Sequence, residues 1–405
     1  MSTTPGRARL PTDHRVAAAR CSDYAAARVR EALDRVIETL GGWSALLPAP
    51  PARVLVKPNL LSEHPPESAV TTHPAVLRAV LEALLGRGYR VTVGDSPAGA
   101  ARVLERLWRT SGLGPVCEEL GVEIIGFERA GHVHFQGRNR FAPRLQLARP
   151  VVEADAVVNL PKLKTHSLTL LTCAVKNCYG HVPGMRKTEL HQRAVNPTEF
   201  AEIVVDIYAA APPTLNIVDA VTAMQGDGPA AGEPYPYDFL VAGADAAAVD
   251  HLLAAGIGLD PAANPVEAVC RRWGIFDPGS VEALGDRLPE PDGFKLPAAS
   301  LRQFIPGSLG RTLAGLVKLF PAIERDRCIR CGACSRACPN GAIHRVDGDY
   351  AIDYADCTAC MCCHEICPVK AVELSGNAPM RLALTLRRLL NRLRGRRPAK
   401  EAPSP

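Results

Sequence analysis

The chain has 405 residues, of which 47% are hydrophobic and 22% are charged, a size and composition typical of two or three soluble globular domains. Its net charge of +5 arises at one end, because residues 375–405 carry seven Arg and one Lys against one Glu and leave −2 for the preceding residues. This distribution excludes a basic, nucleic-acid-binding body. Residues 1–20 lack the apolar core of a secretory signal, and no apolar stretch predicts a membrane span, so we expect a cytoplasmic protein.

From about residue 50 the apolar pattern predicts strands that alternate with helices. The predicted strands are Val54–Val56, Arg90–Val93, Val122–Ile125, Ala156–Leu160, Leu215–Val218 and Phe239–Val241. The predicted helices are Pro74–Leu85, Pro197–Ala211 and Ala246–Ala255. This order predicts an α/β domain with a mostly parallel sheet over residues 50–294, preceded by a partly helical N-terminal extension at residues 1–49.

Polar side chains follow the ends of these predicted strands. Because ligands bind beyond the carboxyl ends of parallel strands, the polar residues predict a pocket at one rim of the sheet that binds a small anionic substrate. Taken singly, each of them could equally be a helix cap or a turn residue. The candidate substrate-binding residues are Lys57, Asn59, Asp95, Lys162, Lys164 and Asp219.

The chain has 14 cysteines, and nine of them lie between Cys328 and Cys367, after a Gly- and Pro-containing connector at residues 295–322. Eight form two runs with one spacing, Cys-x2-Cys-x2-Cys-x3-Cys-Pro, over residues 323–376. In bacterial two-cluster ferredoxins the fourth cysteine of each run ligates the other cluster. The runs therefore predict a small α+β ferredoxin-like domain with two [4Fe-4S] clusters. The expected ligand sets are Cys328, Cys331, Cys334 and Cys367 for one cluster, and Cys338, Cys357, Cys360 and Cys363 for the other.

Zinc is the alternative for Cys-x2-Cys pairs. Zinc sites commonly join two such pairs across a longer gap, whereas this sequence repeats three ligands followed by Cys-Pro. The spacing favours iron–sulfur clusters.

Three side chains of catalytic type fall within residues 160–191, namely His166, Lys176 and His191. Imidazole suits proton transfer near neutral pH or metal ligation. A lysine in a closed pocket either acts as a base, when its pKa is lowered, or stays charged and binds a carboxylate or phosphate. The alternative is that the lysines of this stretch form a solvated basic face.

The motifs Leu160–His166 and Thr172–Gly180, taken with Lys57–Asn59 and Thr71–Pro74, resemble the domain-of-unknown-function-362 family. The resemblance covers about residues 50–260 plus the cysteine-rich domain. It implies membership of a family that is often fused to a two-cluster ferredoxin and has no general assigned reaction.

The order His166, Lys176, His191 is also similar to the catalytic stretch of nickel-pincer-nucleotide lactate racemase. In that enzyme a lysine holds the cofactor, and histidines bind metal or move protons. Ala174 and Val175 replace the glycine pair of that family, so we do not carry over nickel or the pincer cofactor.

The basic tail at residues 377–405 places leucines at helical spacing, with arginines largely on other faces. This pattern predicts an amphipathic helix that contacts an anionic membrane surface or an acidic partner. Packing against the protein's own surface is the alternative.

Three functions fit these observations. The first is an iron–sulfur oxidoreductase that exchanges electrons with a redox partner protein and with a small anionic substrate or cofactor in the α/β domain. The others are an electron carrier and a scaffold for metal or cofactor maturation. No Rossmann fingerprint or P-loop supports nicotinamide or nucleoside triphosphate use. The cationic strand ends favour the oxidoreductase.

Overall fold

The computed structural model describes most of the chain. The described residues are 9–96, 104–138, 142–184, 186–194, 196–290, 292–297, 319–338, 340–357 and 361–376. Cys360 and the basic tail lie outside these ranges. The role of Cys360 as a cluster ligand and the membrane contact of the tail therefore stay predictions. Among the described helices, none is long and apolar enough to cross a membrane.

Strands of the large domain form a ten-stranded sheet and a separate hairpin. They are β1 (Arg15–Arg20), β2 (Arg53–Pro58), β3 (Arg90–Asp95), β4 (Glu123–Gly126), β5 (His132–Gln136), β6 (Arg144–Ala148), β7 (Ala156–Leu160), β8 (Lys162–His166), β9 (Leu170–Thr172), β10 (Leu215–Gln225), β11 (Glu233–Gly243) and β12 (Glu282–Gly285). The sheet order is β12-β1-β11-β10-β7-β2-β3-β4, with β8 paired to β10 and β9 paired to β8. Six of its nine strand pairs are parallel, which confirms the predicted fold class.

Helices cover both faces of the sheet. They are α1 (Ala26–Thr39), α2 (Trp43–Leu46), α3 (Pro74–Leu85), α4 (Leu104–Thr110), α5 (Leu113–Glu119), α6 (Arg149–Glu153), α7 (Ala174–Asn177), α8 (Arg186–Arg193), α9 (Pro197–Ala210), α10 (Ala246–Gly256) and α11 (Pro265–Arg272). One core contains side chains of α1, α3 and α5, and the other contains side chains of α7, α9, α10 and α11. The alternation of strand side chains between these two cores fixes the register of the sheet.

The predicted helix starts have a local cause. Pro74 occupies the first turn of α3, where a missing N–H costs little, and Nδ1 of His73 accepts the N–H of Ala75 at 3.2 Å. At α10 the carboxylate of Asp245 accepts the N–H of Ala247 at 2.8 Å. Both helices therefore begin where the sequence predicts.

Three boundaries differ from the sequence-based expectation. Strand β1 pairs with β11 and β12, so the segment expected as an N-terminal extension contributes to the main sheet. The stretch after β7, expected as a loop, is strand β8, because its alternation puts Leu163 into the apolar core and the flanking polar side chains on the opposite side. The connector expected at residues 295–322 ends earlier, since a strand begins at Leu319.

The small domain repeats one unit twice. Strand β13 (Leu319–Ile323) pairs with β16 (Val372–Gly376), and β14 (Ile343–Val346) pairs with β15 (Asp349–Ile352). A short helix follows the start of each cysteine run, α12 (Ala333–Ala337) and α13 (Cys362–Ile366). Both helices are preceded by a residue in the left-handed region, Gly332 at φ 73° and Met361 at φ 63°.

Candidate functional site between the two domains

A cavity of about 110 Å³ lies at the carboxyl ends of β2 and β3, where the small domain covers the large one. The small domain contributes Ala337, Cys362 and Glu365 to its wall. The large domain contributes mainly amines and amides. Its polar lining residues include Lys57, Asn59, Asp95, Ser96, Lys164, Lys176, Asn177, Lys187 and His191.

A buried ion pair forms one wall of the cavity. The Nζ of Lys57 lies 2.8 Å from Oδ1 of Asp95, with both side chains almost fully buried. The other carboxylate oxygen of Asp95 accepts the N–H of Leu60 at 3.0 Å, which fixes the carboxylate against β2. Gly180 packs on this pair, and a Cβ there would lie 2.7 Å from Nζ of Lys57. A side chain at this position would therefore have to displace the Lys57–Asp95 ion pair.

Lys164 points from β8 toward the cavity and has no carboxylate in hydrogen-bond contact among the described residues. Its Nζ donates to Oδ1 of Asn59 at 2.8 Å and to the carbonyl oxygen of Val70 at 2.7 Å. Burial, followed by the charges of Lys176 and Lys162, lowers the pKa of Lys164 well below its ordinary value.

Behind Lys164 four asparagines form a hydrogen-bonded ladder, in which Asn59 follows β2, Asn177 lies on α7, Asn159 lies on β7 and Asn216 lies on β10. Asn59 donates to Asn177 at 2.9 Å, Asn177 to Asn159 at 2.7 Å, and Asn159 to Asn216 at 2.9 Å. Asn216 donates in turn to the carbonyl oxygens of Gly243 and Ala244. We name this set the asparagine ladder. It satisfies buried amides that would otherwise cost stability.

Lys176 lies on α7, which is held by a buried carboxylate. Asp250 accepts the N–H groups of Ala174 and Val175 at 2.6 and 3.1 Å, and burial raises its pKa to about 7. The Nζ of Lys176 lies 5.7 Å from the ring centroid of Phe200, and no described residue accepts a hydrogen bond from it. Burial lowers the pKa of Lys176, while Glu365 acts in the opposite direction.

Lys187, which was not predicted as a site residue, is a fourth amine in the cavity wall. Its Nζ donates to the carbonyl oxygen of Ser96 and, at 2.9 Å, to the Ser96 hydroxyl. Burial lowers the pKa of Lys187 to about 8, although Asp95 and Glu128 oppose this shift.

Glu365 reaches from α13 of the small domain into the basic cluster of the large domain. Its Oε1 lies 3.2 Å from Nε2 of His191 and 3.7 Å from Nε2 of His166. Burial disfavours the charged carboxylate, but His191, His166 and Lys176 together lower the pKa of Glu365 below its ordinary value. The structure thus brings the three predicted catalytic residues around one carboxylate.

The hydrogen bonds of His166 fix its tautomer. Its Nδ1 accepts the N–H groups of Leu168 and Thr169 at 3.0 and 3.2 Å, so the proton of the neutral ring lies on Nε2. Burial and the charge of Lys176 lower the pKa of His166 well below its ordinary value. The neutral ring of His166 therefore carries its proton on Nε2, the atom nearest Glu365, and its catalytic role stays a prediction.

Two predicted substrate-binding residues do not reach the cavity. Lys162 and Asp219 are paired across β8 and β10 at 2.9 Å, with both side chains fully buried. The hydroxyl of Tyr24 accepts from Lys162 at 2.8 Å and donates to Asp219 at 2.8 Å. The N-terminal segment closes this cluster. Burial of Lys162 and Lys164 also excludes a solvated basic face at these two positions.

The cysteines of the first predicted cluster set lie close together. Burial, followed by the charges of Cys367, Cys331 and Cys328, raises the pKa of Cys334 to about 11. Crowded thiolates of this kind are stabilised by a bound metal. The donor set therefore fits a [4Fe-4S] cluster.

The described members of the second set, Cys338, Cys357 and Cys363, line a single cavity of about 20 Å³. Related N–H···S hydrogen bonds occur in both sets, from Ala342 to Cys338 and from Ala371 to Cys367, each at 3.2 Å. The fourth expected donor, Cys360, lies outside the described residues.

Comparison with known proteins bears on both domains. The family model described as domain of unknown function (DUF362) matches residues 54–255, and a 4Fe-4S binding domain model matches residues 321–344. A thylakoid-associated protein of Synechocystis sp. is 34% identical over 285 residues, which cover 69% of this chain and 86% of that protein. The chain belongs to the DUF362 family. This DUF362 protein is also an iron–sulfur electron-transfer protein that holds at least one [4Fe-4S] cluster, because the 4Fe-4S match contains its first cysteine run.

Two further similarities are partial. The pyruvate synthase subunit PorD of Methanothermobacter marburgensis is 40% identical over 70 residues, which are 17% of this chain and 83% of that protein. The lactate racemase apoprotein of Thermoanaerobacterium thermosaccharolyticum overlaps 56% of this chain and 53% of its own, at 13% identity and a TM-score of 0.37. An overlap at this TM-score carries no argument about the site of the DUF362 protein.

Sequence reasoning did not identify Glu365, Tyr24, Lys187 or most of the asparagine ladder. Asn159 could have been found, since it is a polar residue inside a buried apolar strand, Val157 to Leu160. Glu365 had a signal too, because it is an acidic residue between two cluster ligands. Neither signal identifies the distant residue that each side chain contacts, His191 for Glu365 and Asn177 for Asn159.

The buried Lys162–Asp219 pair gives a stability prediction. We expect Asp219→Ala to lower the free energy of unfolding by about 3–5 kcal/mol, because it leaves an unpaired buried ammonium. The double variant Lys162→Met with Asp219→Leu should recover most of this loss, since it removes both charges. Urea unfolding followed by circular dichroism measures both. An Asp219→Ala protein as stable as wild type would contradict the ion-pair description.

Proposed function

We propose that this protein is a ferredoxin-coupled redox enzyme with two [4Fe-4S] clusters, in which electrons pass between the small domain and a small anion or cofactor bound in the interdomain cavity. One observation carries the proposal. Helix α13 holds the expected cluster ligand Cys363, and its neighbours Cys362 and Glu365 form part of the cavity wall. A ligand in the cavity therefore contacts the helix that holds a cluster.

The charge of the cavity supports an anionic ligand. Besides Lys164, its described lining contains three lysines and His191, against the carboxylates of Asp95 and Glu365. Asp95 already pairs with Lys57. The excess of basic groups favours a ligand with a carboxylate or a phosphate.

One-electron transfer is the chemistry that a [4Fe-4S] cluster supplies when bound. The large domain would then bind and orient the ligand. Lys176, with no described hydrogen-bond acceptor, is placed to bind its anionic group, and His191 lines the same cavity. The small domain covers the cavity and limits access of water, which strengthens these polar interactions.

A redox partner protein belongs to the same proposal. Relatives of the small domain are named as parts of larger redox enzymes, namely PorD of pyruvate synthase and one component of an ion-translocating oxidoreductase complex. By analogy, the partner would exchange electrons at the small domain. An electron carrier needs no ligand between the domains, and a maturation scaffold would hold a metal or cofactor without converting it, so ligand turnover separates the alternatives.

The number of clusters is testable by composition. We expect anaerobically purified protein to contain about eight iron and about eight labile sulfide per chain. Cys331→Ser should lose roughly half of the iron, whereas Cys117→Ser, a buried cysteine of the large domain, should lose none. About four iron in the wild type, or zinc in place of iron, would contradict the two-cluster proposal.

Turnover is testable through the clusters. Dithionite-reduced protein, freed of excess reductant, is mixed anaerobically with a panel of small carboxylates, 2-oxo acids and phosphates while cluster absorbance is followed. We expect at least one compound to reoxidise the clusters. Lys176→Gln should weaken its apparent affinity about tenfold or more, since one charge-assisted contact is lost. The control is Lys295→Gln, at an exposed lysine of the large domain. Reoxidation by no compound, or equal affinity in Lys176→Gln, would favour the carrier.

A further inference from the structure

Lys162 and Lys164 lie on the same side of β8, and both are almost fully buried, yet their nitrogens have different partners. Lys162 is paired with the Asp219 carboxylate at 2.9 Å. Lys164 contacts an amide oxygen and a backbone carbonyl oxygen, and within the described part of the chain it has no ion pair. Only Lys164 lines the interdomain cavity.

The asparagine ladder fixes which atoms face Lys164. At its far end Asn216 donates to two backbone carbonyl oxygens, which only accept hydrogen bonds. The amide oxygen of Asn216 must then accept from the next asparagine, and the same orientation repeats along the ladder. Asn59 therefore donates its N–H to Asn177 and directs its oxygen toward Lys164. Both neighbours of the Lys164 nitrogen are therefore hydrogen-bond acceptors.

A neutral amine has two N–H bonds and one lone pair, and the two acceptors, Asn59 and Val70, take up both N–H bonds. An ammonium at this place would have a third N–H without an acceptor among the described residues. The groups that face Lys164 act on its protonation in both directions. Burial, Lys176 and Lys162 lower its pKa, while Asp95 and Glu365 oppose the shift, and the outcome is a strongly lowered pKa. The lone pair is then available on the cavity side.

We propose that Lys164 is a nucleophile that forms an imine with a small ligand carrying both a carbonyl group and an anionic group, such as a 2-oxo acid or an aldehyde acid. The proposal rests on the anion-binding cavity of the proposed function. The Lys164 nitrogen forms a bond to the carbonyl carbon, and the carbonyl oxygen leaves as water with the two amine hydrogens. Uptake of one proton gives a cationic imine, whose new N–H can donate to Asn59 or Val70.

The anionic group of the ligand has a binding partner nearby. Lys176 lines the same cavity and donates to no described residue, so it is placed to pair with a carboxylate. A cationic imine accepts an electron more readily than a neutral carbonyl. Imine formation therefore suits a cavity whose wall includes the cluster-bearing helix α13.

Reductive trapping tests the imine. The full chain with its clusters assembled is incubated anaerobically at neutral pH with glyoxylate and cyanoborohydride, and the modified lysines are mapped by mass spectrometry. We expect modification of Lys164 to be about tenfold or more faster than that of Lys162 and of exposed Lys295, since each of these two amines is held in an ion pair, with Asp219 and Glu233. Lys164→Arg should abolish the reaction at this position without transferring it to Lys162.

A second probe keeps the test decisive. Formaldehyde replaces glyoxylate as a probe without an anionic group, and Lys176→Gln should slow the glyoxylate reaction more than the formaldehyde reaction, since only glyoxylate loses an ion pair with Lys176. Failure of both probes to label Lys164 faster than Lys162 overturns the imine. If an anion still reoxidises the clusters in that case, the proposed enzyme stands without a nucleophilic lysine.

Discussion

The contact of Glu365 with the basic cluster of the large domain is the interaction on which the site depends. A carboxylate placed between two cysteines of the small domain lies within 3.2 Å of His191 and faces His166 and Lys176. Without it, three basic side chains would face one another in a poorly solvated space. The contact joins the two domains and also forms part of the cavity wall. The chemistry of the cavity therefore depends on the position of the small domain.

Burying several lysines at the edge of one sheet is costly unless each has a partner. The buried lysines have two kinds of partner. Lys57 and Lys162 have carboxylate partners on neighbouring strands, Asp95 and Asp219. Lys164 instead has neutral acceptors, which suit an uncharged amine. Ion pairs fix charged groups in place, whereas a neutral amine keeps its reactivity, and this contrast is the basis for assigning different roles to neighbouring lysines of one strand.

Sequence patterns predicted the local features well. The start of α3 at Pro74, the parallel strands and the cysteine spacing all rest on residues close together in the chain. The features that were missed depend on distant residues. Strand β8 resembled a loop because its polar side chains are satisfied by Tyr24 and Asn59, more than 100 positions away. Glu365 meets His191 across 174 positions, a separation that no local pattern encodes.

A ligand in the interdomain cavity and the clusters of the small domain should influence each other. Redox titration of the full chain, followed by electron paramagnetic resonance with and without saturating glyoxylate, measures this coupling directly. Because coupling is reciprocal and a nearby anion disfavours an added electron, we expect a lower midpoint potential at saturating glyoxylate, and Lys176→Gln should need about tenfold more glyoxylate for the same shift. An unchanged potential in wild-type protein, with glyoxylate binding demonstrated by calorimetry, would contradict it.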